Sequence, residues 1–225
     1  MSEYDVVVIG AGPGGYITAI RASQLGLKAA VVEKEFLGGI CLNVGCIPSK
    51  SLLKNAELAH TLRERADEFG ISFDNLKLDF AAAVDRSRKV SKRLTQGVAF
   101  LMKKNKIDVY MGTAKLTAKD KVQVSDADGK VQELSAKNIV IATGSHAAMI
   151  PGVKVDGEKV VSFWEAILQT KRPESVVIIG AGAIGAEFAT VWSAYGTQVT
   201  MVEMLPRILP VEDEETSAEL TKAFK

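Results

Sequence analysis

The chain has 225 residues, enough for one or two domains, and its 47% hydrophobic and 24% charged content is that of a globular protein. A formal net charge of +1 argues against a nucleic-acid or acidic-membrane partner. No apolar run approaches the roughly 18 residues of a membrane span. Met1–Tyr4 leads straight into a strand pattern with no apolar signal core and no Arg-rich transit segment, which predicts a cytoplasmic protein.

In chain order, residues 4–15 (YDVVVIGAGPGG) read as a buried strand entering Gly-x-Gly-x-x-Gly, followed by a helix over about Gly14–Leu25 that stops at Gly26 and a strand Lys28–Glu33. Residues 38–50 (GGICLNVGCIPSK) carry the only cysteines, Cys41 and Cys46, with a helix expected from Ile47-Pro48. Residues 50–105 look helical, with a long basic pattern over Ala81–Asn105. Residues 107–134 look like short strands with a turn at Asp128-Gly129, and Lys137–Ala142 is a further core strand. From 174 the chain repeats itself: ESVVIIGAGAIG is followed by a helix over about Ile184–Tyr195, which ends near Gly196, and a strand Gln198–Glu203. Glu203 follows Gly180 by the same 23 positions that separate Glu33 from Gly10. Asp213–Lys225 opens a helix with no stop signal, so the reading expects the N-terminal part of a longer protein.

Each copy has the parts of a dinucleotide site. Gly10 and Gly180 permit the tight turn. Gly12 and Gly182 let backbone approach a pyrophosphate, and Gly15 and Gly185 let helix pack on strand. The helix N-terminus attracts the anion, and Glu33 and Glu203 can accept hydrogen bonds from a ribose. A carboxylate there repels a 2′-phosphate, and Arg207 is the nearest cation after Glu203, so the second site reads as NAD rather than NADP. The predicted fold is α/β: a doubly wound, Rossmann-like domain over 1–150 with inserted helices and a small antiparallel sheet, then the start of a second such domain over 151–225.

A cysteine pair in a reducing compartment is catalytic or metal-binding rather than a structural staple. Metal is the weaker choice, because zinc takes four ligands and the only histidines are His60 and His146. Glycines 38, 39 and 45 keep the backbone thin around the pair, so a flat ring could stack there. The start of the next helix favours a thiolate at Cys46. Lys50, at i+4, adds positive charge on the same face. Two inert core cysteines remain the alternative. The basic stripe from Arg86 to Lys104 reads as a solvated helix face or, as the second choice, a docking surface.

The two fingerprints, GGICLNVGCIPSK and the Ala142-Thr143-Gly144 segment together resemble the FAD-dependent pyridine nucleotide–disulfide oxidoreductases, specifically the NAD-linked branch that oxidises dihydrolipoamide. The resemblance implies that Gly10, Gly12, Pro13, Gly14, Gly15, Glu33, Lys34, Gly39, Ile40 and Cys41 lie along FAD. It puts Lys50 near the flavin, Ala114 at the adenine end, and Thr143, Gly144 and Ser145 close by. NAD would be held by Gly180, Gly182, Ala183, Ile184, Gly185 and Glu203. The catalytic residues would be Cys41, exchanging with the dithiol, Cys46, beside the flavin, and Lys50. A lipoyl-bearing acyltransferase of 2-oxo acid dehydrogenase complexes would be the partner, and the parent protein would be a homodimer. The family's His–Glu base would lie beyond Lys225, leaving the chain inactive alone. Other disulfide or metal-ion reductases of the glutathione or mercuric type, or a nucleotide-binding fragment without turnover, are the alternatives. Ile40 and the Ser145–Ala148 stretch, which lacks the family's usual proline, depart from the family pattern.

Overall fold

The computed structural model describes residues 2–224. The Val-rich runs of the first repeat are β1 (Ser2–Ile9) and β2 (Ala29–Glu33), joined by α1 (Pro13–Gln24). α1 buries Gly15, Ala19 and Ala22, residues small enough for helix and sheet to approach closely. Every residue of β2 is buried, as expected of a parallel strand covered on both faces. Next come α2 (Gly39–Asn43), α3 (Cys46–Glu64), a 3-10 turn (Ala66–Phe69) and α4 (Phe80–Lys104). α3 starts at Cys46, one residue before the expected start, with Pro48 in the first turn where its missing N–H has no intrahelical partner to lose.

The chain returns to the sheet through β3 (Asp108–Met111), β4 (Thr113–Ala118), β5 (Lys121–Ser125) and β6 (Val131–Ile141). Sheet order is β3-β2-β1-β6-β5-β4. β3, β2, β1 and β6 run parallel, whereas β5 and β4 are antiparallel. The expected antiparallel strands form, as β4, β5 and the first part of β6, and they are continuous with the parallel strands in one sheet. The reason is the length of β6. It pairs with β5 over 131–135 and with β1 over 134–141. β3 joins the parallel set, with Met111 opposite Glu33. The Asp128-Gly129 turn forms, and the Asp126 carboxylate accepts the N–H groups of Asp128 and Lys130.

One core cluster joins Val6, Val8 and Val31 to Val98 and Met102 of α4. A second contains Tyr4, Val7, Val32, Val124 and Leu134. The Tyr4 hydroxyl donates to Asp108 at 2.7 Å and shares a 2.6 Å bond with Tyr110. Burial, then these bonds, push its pKa far above the usual phenol value.

The second repeat begins after α5 (Phe163–Ala166). It comprises β7 (Ser175–Ile179), α6 (Ala183–Ala194) and β8 (Gln198–Val202), and α7 (Glu214–Ala223) follows. β7 and β8 are parallel, with Val177 opposite Thr200. The lower ends of both strands are tied together. Thr197 Oγ1 donates to the Pro173 carbonyl at 2.7 Å, and Arg172 donates to the Gly196 carbonyl at 3.0 Å. Thr197 is buried, so Thr197→Val leaves the Pro173 carbonyl without this donor. The expected cost is about 1–2 kcal/mol, read as a lower urea midpoint with an unchanged slope.

Two compact units emerge. One comprises Met1–Ile47 with Lys89–Lys154, the other Pro48–Arg88 with Val155–Lys225. The division falls inside α3 and α4, so residues 48–88 group with the second repeat, although they precede position 150.

Candidate dinucleotide and disulfide sites

The first fingerprint is a strand-to-helix turn fixed by backbone contacts. Gly10 N donates to the Val32 carbonyl at 2.8 Å. Its φ is +102°, and a Cβ there would stand 2.2 Å from the Ala142 carbonyl oxygen, so only glycine fits. Thr143 Cα lies 3.3 Å from the same point, which brings the 143–145 segment to the fingerprint. A Cβ at Gly15 would lie 1.8 Å from the Gly10 carbonyl oxygen. Gly12 caps α1 with no side-chain hydrogen bond, and Pro13 occupies the first turn. A Cβ on Gly12 would meet only Gly39 Cα at 3.9 Å, and one on Gly14 only Ala142 Cβ at 3.9 Å. The helix N-terminus is thus uncapped and roomy, which suits a pyrophosphate.

Glu33 closes the loop. Its Oε2 accepts the Ala11 N–H at 2.7 Å and its Oε1 accepts the Glu35 N–H at 2.9 Å. Each oxygen retains acceptor capacity for a ribose hydroxyl. The Glu33 carbonyl accepts the Gly112 N–H at 2.8 Å, so the corner that carries Ala114 meets the strand end that carries the acid. Lys34 is exposed beside it.

The second fingerprint repeats the hydrogen bonds of the turn and the acid. Gly180 N donates to the Val202 carbonyl at 2.8 Å, with φ +105°. Glu203 accepts the Ala181 N–H at 2.7 Å and the Leu205 N–H at 2.9 Å. Gly182 caps α6, again without a side-chain bond, and a Cβ there would meet nothing within 4 Å. Ala183 and Ile184 form the exposed first turn. The N–H groups of Leu205, then Ala181, hold the Glu203 carboxyl below the usual carboxylate range. Its folded pKa lies below the unfolded one, so this contribution is full above the unfolded value and is lost as pH falls through the folded value. The carbonyl of the fingerprint alanine is also tied in both copies. Gly38 N donates to the Ala11 carbonyl at 2.9 Å, and Leu209 N donates to the Ala181 carbonyl at 2.8 Å. Both donors have left-handed backbones, at φ +87° and +49°.

Beyond Gly38 lies the cysteine pair. Cys41 and Cys46 form a disulfide with Cα atoms 4.6 Å apart. α2 carries Cys41 and starts at Gly39, whose Cβ, if present, would stand 2.6 Å from Gly12 Cα. The disulfide loop is therefore pressed against the turn of the first fingerprint. Ile40 stays inside α2, its carbonyl accepting the Val44 N–H at 2.9 Å. Cys41 packs on the core, while Cys46 is exposed at the first residue of α3.

Sequence reasoning missed two residues, one beside the cysteines and one beside Lys50. Asn43 Nδ2 donates to the Leu37 and Gly39 carbonyls, both at 2.9 Å, and its Oδ1 accepts from Thr95. An amide between two cysteines in a half-buried loop was the available signal. Glu187 of α6 pairs with Lys50 at 2.6 Å. That contact spans 137 positions, and no local pattern announces it. His60 and His146 are exposed, and among the described residues no cluster of three or more metal-ligating side chains occurs.

Residues 4–225 match the family described as pyridine nucleotide-disulphide oxidoreductase. The chain belongs to that family. It is 52% identical over 228 residues to a dihydrolipoyl dehydrogenase of Mycobacterium leprae, with 100% of this chain and 48% of the relative covered. It is 45% identical over 224 residues to one from Chlorobaculum parvum, with the same coverage. The chain thus spans about half the length of the curated relatives it matches. Its fold is that of LpdA from Mycobacterium tuberculosis, at TM-score 0.88 and 23% identity over 100% of this chain and 49% of that one. It also resembles the HOCl-induced flavoprotein disulfide reductase RclA from Escherichia coli, solved as a Cu(II) complex, at TM-score 0.84 and 26% identity over 99% of this chain and 47% of that one. No helix among the described residues is long and apolar enough to cross a membrane.

Proposed function

We propose that this chain carries the FAD- and NAD-binding machinery of a dihydrolipoyl dehydrogenase. The observation that carries the reading is the close approach of Gly39 to Gly12, which sets the Cys41–Cys46 loop directly on the first dinucleotide turn. The named relatives support the same substrate class.

Gly10, Gly12, Pro13, Gly14, Gly15 and Glu33 would hold the FAD pyrophosphate and ribose, with Lys34, Ala114 and Thr143–Ser145 around them. Gly180–Gly185 and Glu203 would hold NAD. Residues 1–150 are then the FAD-binding domain and 151–225 the first part of the NAD-binding domain, with the 48–88 helices packed into the second compact unit. Flavin at the first site supplies a two-electron acceptor between thiols and nicotinamide. The chain's own cysteines would carry the thiol–disulfide exchange. A dithiol attacks Cys41, a mixed disulfide forms, and Cys46 leaves as a thiolate. The N-terminus of α3 stabilises that thiolate. Lys50 keeps positive charge near the acceptor, oriented by Glu187. The proposal includes a lipoyl-bearing acyltransferase as partner, a homodimeric parent and a cytoplasmic setting.

Comparative turnover tests this. The parent protein is expected to reduce NAD with dihydrolipoamide much faster than it reduces glutathione disulfide or Hg(II) with NADPH. The reverse order of rates would move it to another branch of the family.

A further inference from the structure

Arg207 is the only cation between Gln198 and Thr221, and the same segment carries Glu203, Glu212, Asp213, Glu214, Glu215 and Glu219. It lies four positions after Glu203, and both side chains line one cleft. A cation so placed is the natural ligand for a 2′-phosphate. Here it is engaged elsewhere. Its Nη1 pairs with Glu214 in the first turn of α7 at 2.7 Å, and its Nη2 reaches the Pro210 and Glu212 carbonyls at 3.4 and 3.3 Å. Asp213 caps the same helix by accepting the Glu215 and Thr216 N–H groups. Ser217, fully buried, donates to the Leu209 carbonyl, and Leu209 N bonds the fingerprint residue Ala181. The connector that holds Arg207 is thus anchored at Leu209, through both its carbonyl and its N–H.

We infer that the Arg207–Glu214 clamp is a coenzyme-specificity device, which withholds the cation nearest Glu203 in the chain from the ribose 2′ position and so reinforces Glu203 in excluding NADP. The inference rests on the reading of the second fingerprint as an NAD site. Two independent features then act together. Glu203 repels the phosphate directly, and the clamp denies the phosphate its counter-charge. The clamp is releasable. Glu214 is 82% exposed, and an ion pair that open to water is weak. Arg207 Nε is buried without an acceptor, a loss the side chain recovers on leaving.

Titration of the purified protein with NADH and NADPH, followed by nucleotide fluorescence, tests the clamp. Four forms are compared: wild type, Glu203→Gln, Glu203→Gln/Glu214→Gln, and that double variant with Arg207→Met. Glu203→Gln removes the repulsion that would mask any gain. The double variant is expected to bind NADPH about threefold more tightly than Glu203→Gln, the scale of the exposed ion pair that is removed. Adding Arg207→Met should erase the gain. An unchanged NADPH affinity in the double variant overturns the inference, as does a gain that survives Arg207→Met, because charge removal alone would then suffice. Wild-type protein that binds neither nucleotide would overturn the NAD-site reading itself. NADH binding with an unresponsive NADPH affinity sinks only the clamp.

Discussion

Replacing Cys46 with serine should reduce dithiol-linked NAD reduction by the parent protein to the limit of detection, while flavin stays bound. The Cys41–Cys46 disulfide is the one two-electron acceptor that the chain's own side chains provide, and a serine hydroxyl cannot form it. Cys46 is exposed and sits at the first residue of α3, whereas the glycines that shape the nucleotide turn are untouched by the change. Cys41→Ser should abolish turnover equally but look different. Cys46 would then be a permanent free thiol at a helix N-terminus, where the dipole favours the thiolate. A long-wavelength absorbance should therefore be present in resting Cys41→Ser and absent from Cys46→Ser under any reducing condition. Equal spectra in the two variants would contradict the assignment of Cys46 as the sulfur beside the flavin.

The second large effect is expected at Gly39. Its φ is +58°, and a Cβ would stand 2.6 Å from Gly12 Cα and 3.3 Å from Gly12 N. Both are backbone atoms and cannot rotate away. Gly39→Ala combines a left-handed penalty of about 1–2 kcal/mol with an overpacking penalty of about 1–3 kcal/mol. For a chain of this size the sum corresponds to a fall in Tm of roughly 4–20 °C. The functional loss should be larger, because relief of the clash moves α2 off the fingerprint and takes Cys41 with it. Gly70→Ala is the control. Gly70 also has positive φ, at +65°, but a Cβ there meets nothing within 4 Å. It should show only the backbone penalty and retain flavin. If Gly39→Ala behaved like Gly70→Ala in both stability and flavin retention, the contact between the disulfide loop and the nucleotide turn would carry no weight.

Much of this architecture was legible in the sequence because its signals are local. Gly-x-Gly-x-x-Gly after a valine run specifies strand, turn and helix within a dozen positions, and both α1 and α6 lie within a residue or two of where the pattern puts them. The acid 23 positions on reads in the sequence as a candidate ribose ligand, whereas its structural task in the turn has no local signal. Glu33 and Glu203 each tie the fingerprint alanine N–H to the end of the next strand, a bond that only the folded turn brings together. The tether from Gly38 to Ala11 and from Leu209 to Ala181 extends the repeat past any sequence similarity. After that shared tether the copies diverge. The first continues into α2 and the cysteines, the second into the Arg207 connector and α7.

Long-range pairings were the part that could not be read. The Lys50–Glu187 pair joins elements far apart in the chain, and neither residue is unusual in its own helix. The merging of β4 and β5 into the parallel sheet depends on β6 running ten peptide steps from Val131 to Ile141, where the apolar pattern marks only its last half. The grouping of residues 48–88 with the second repeat likewise reflects packing, not composition.

The absorbance spectrum of the purified parent protein, taken before and after one equivalent of dihydrolipoamide, decides whether the Cys41–Cys46 disulfide passes electrons to a flavin. A bound flavin at rest and a new long-wavelength band on dithiol addition, lost in Cys46→Ser, are expected. A colourless protein, or a flavin spectrum that the dithiol leaves unchanged, would contradict that transfer.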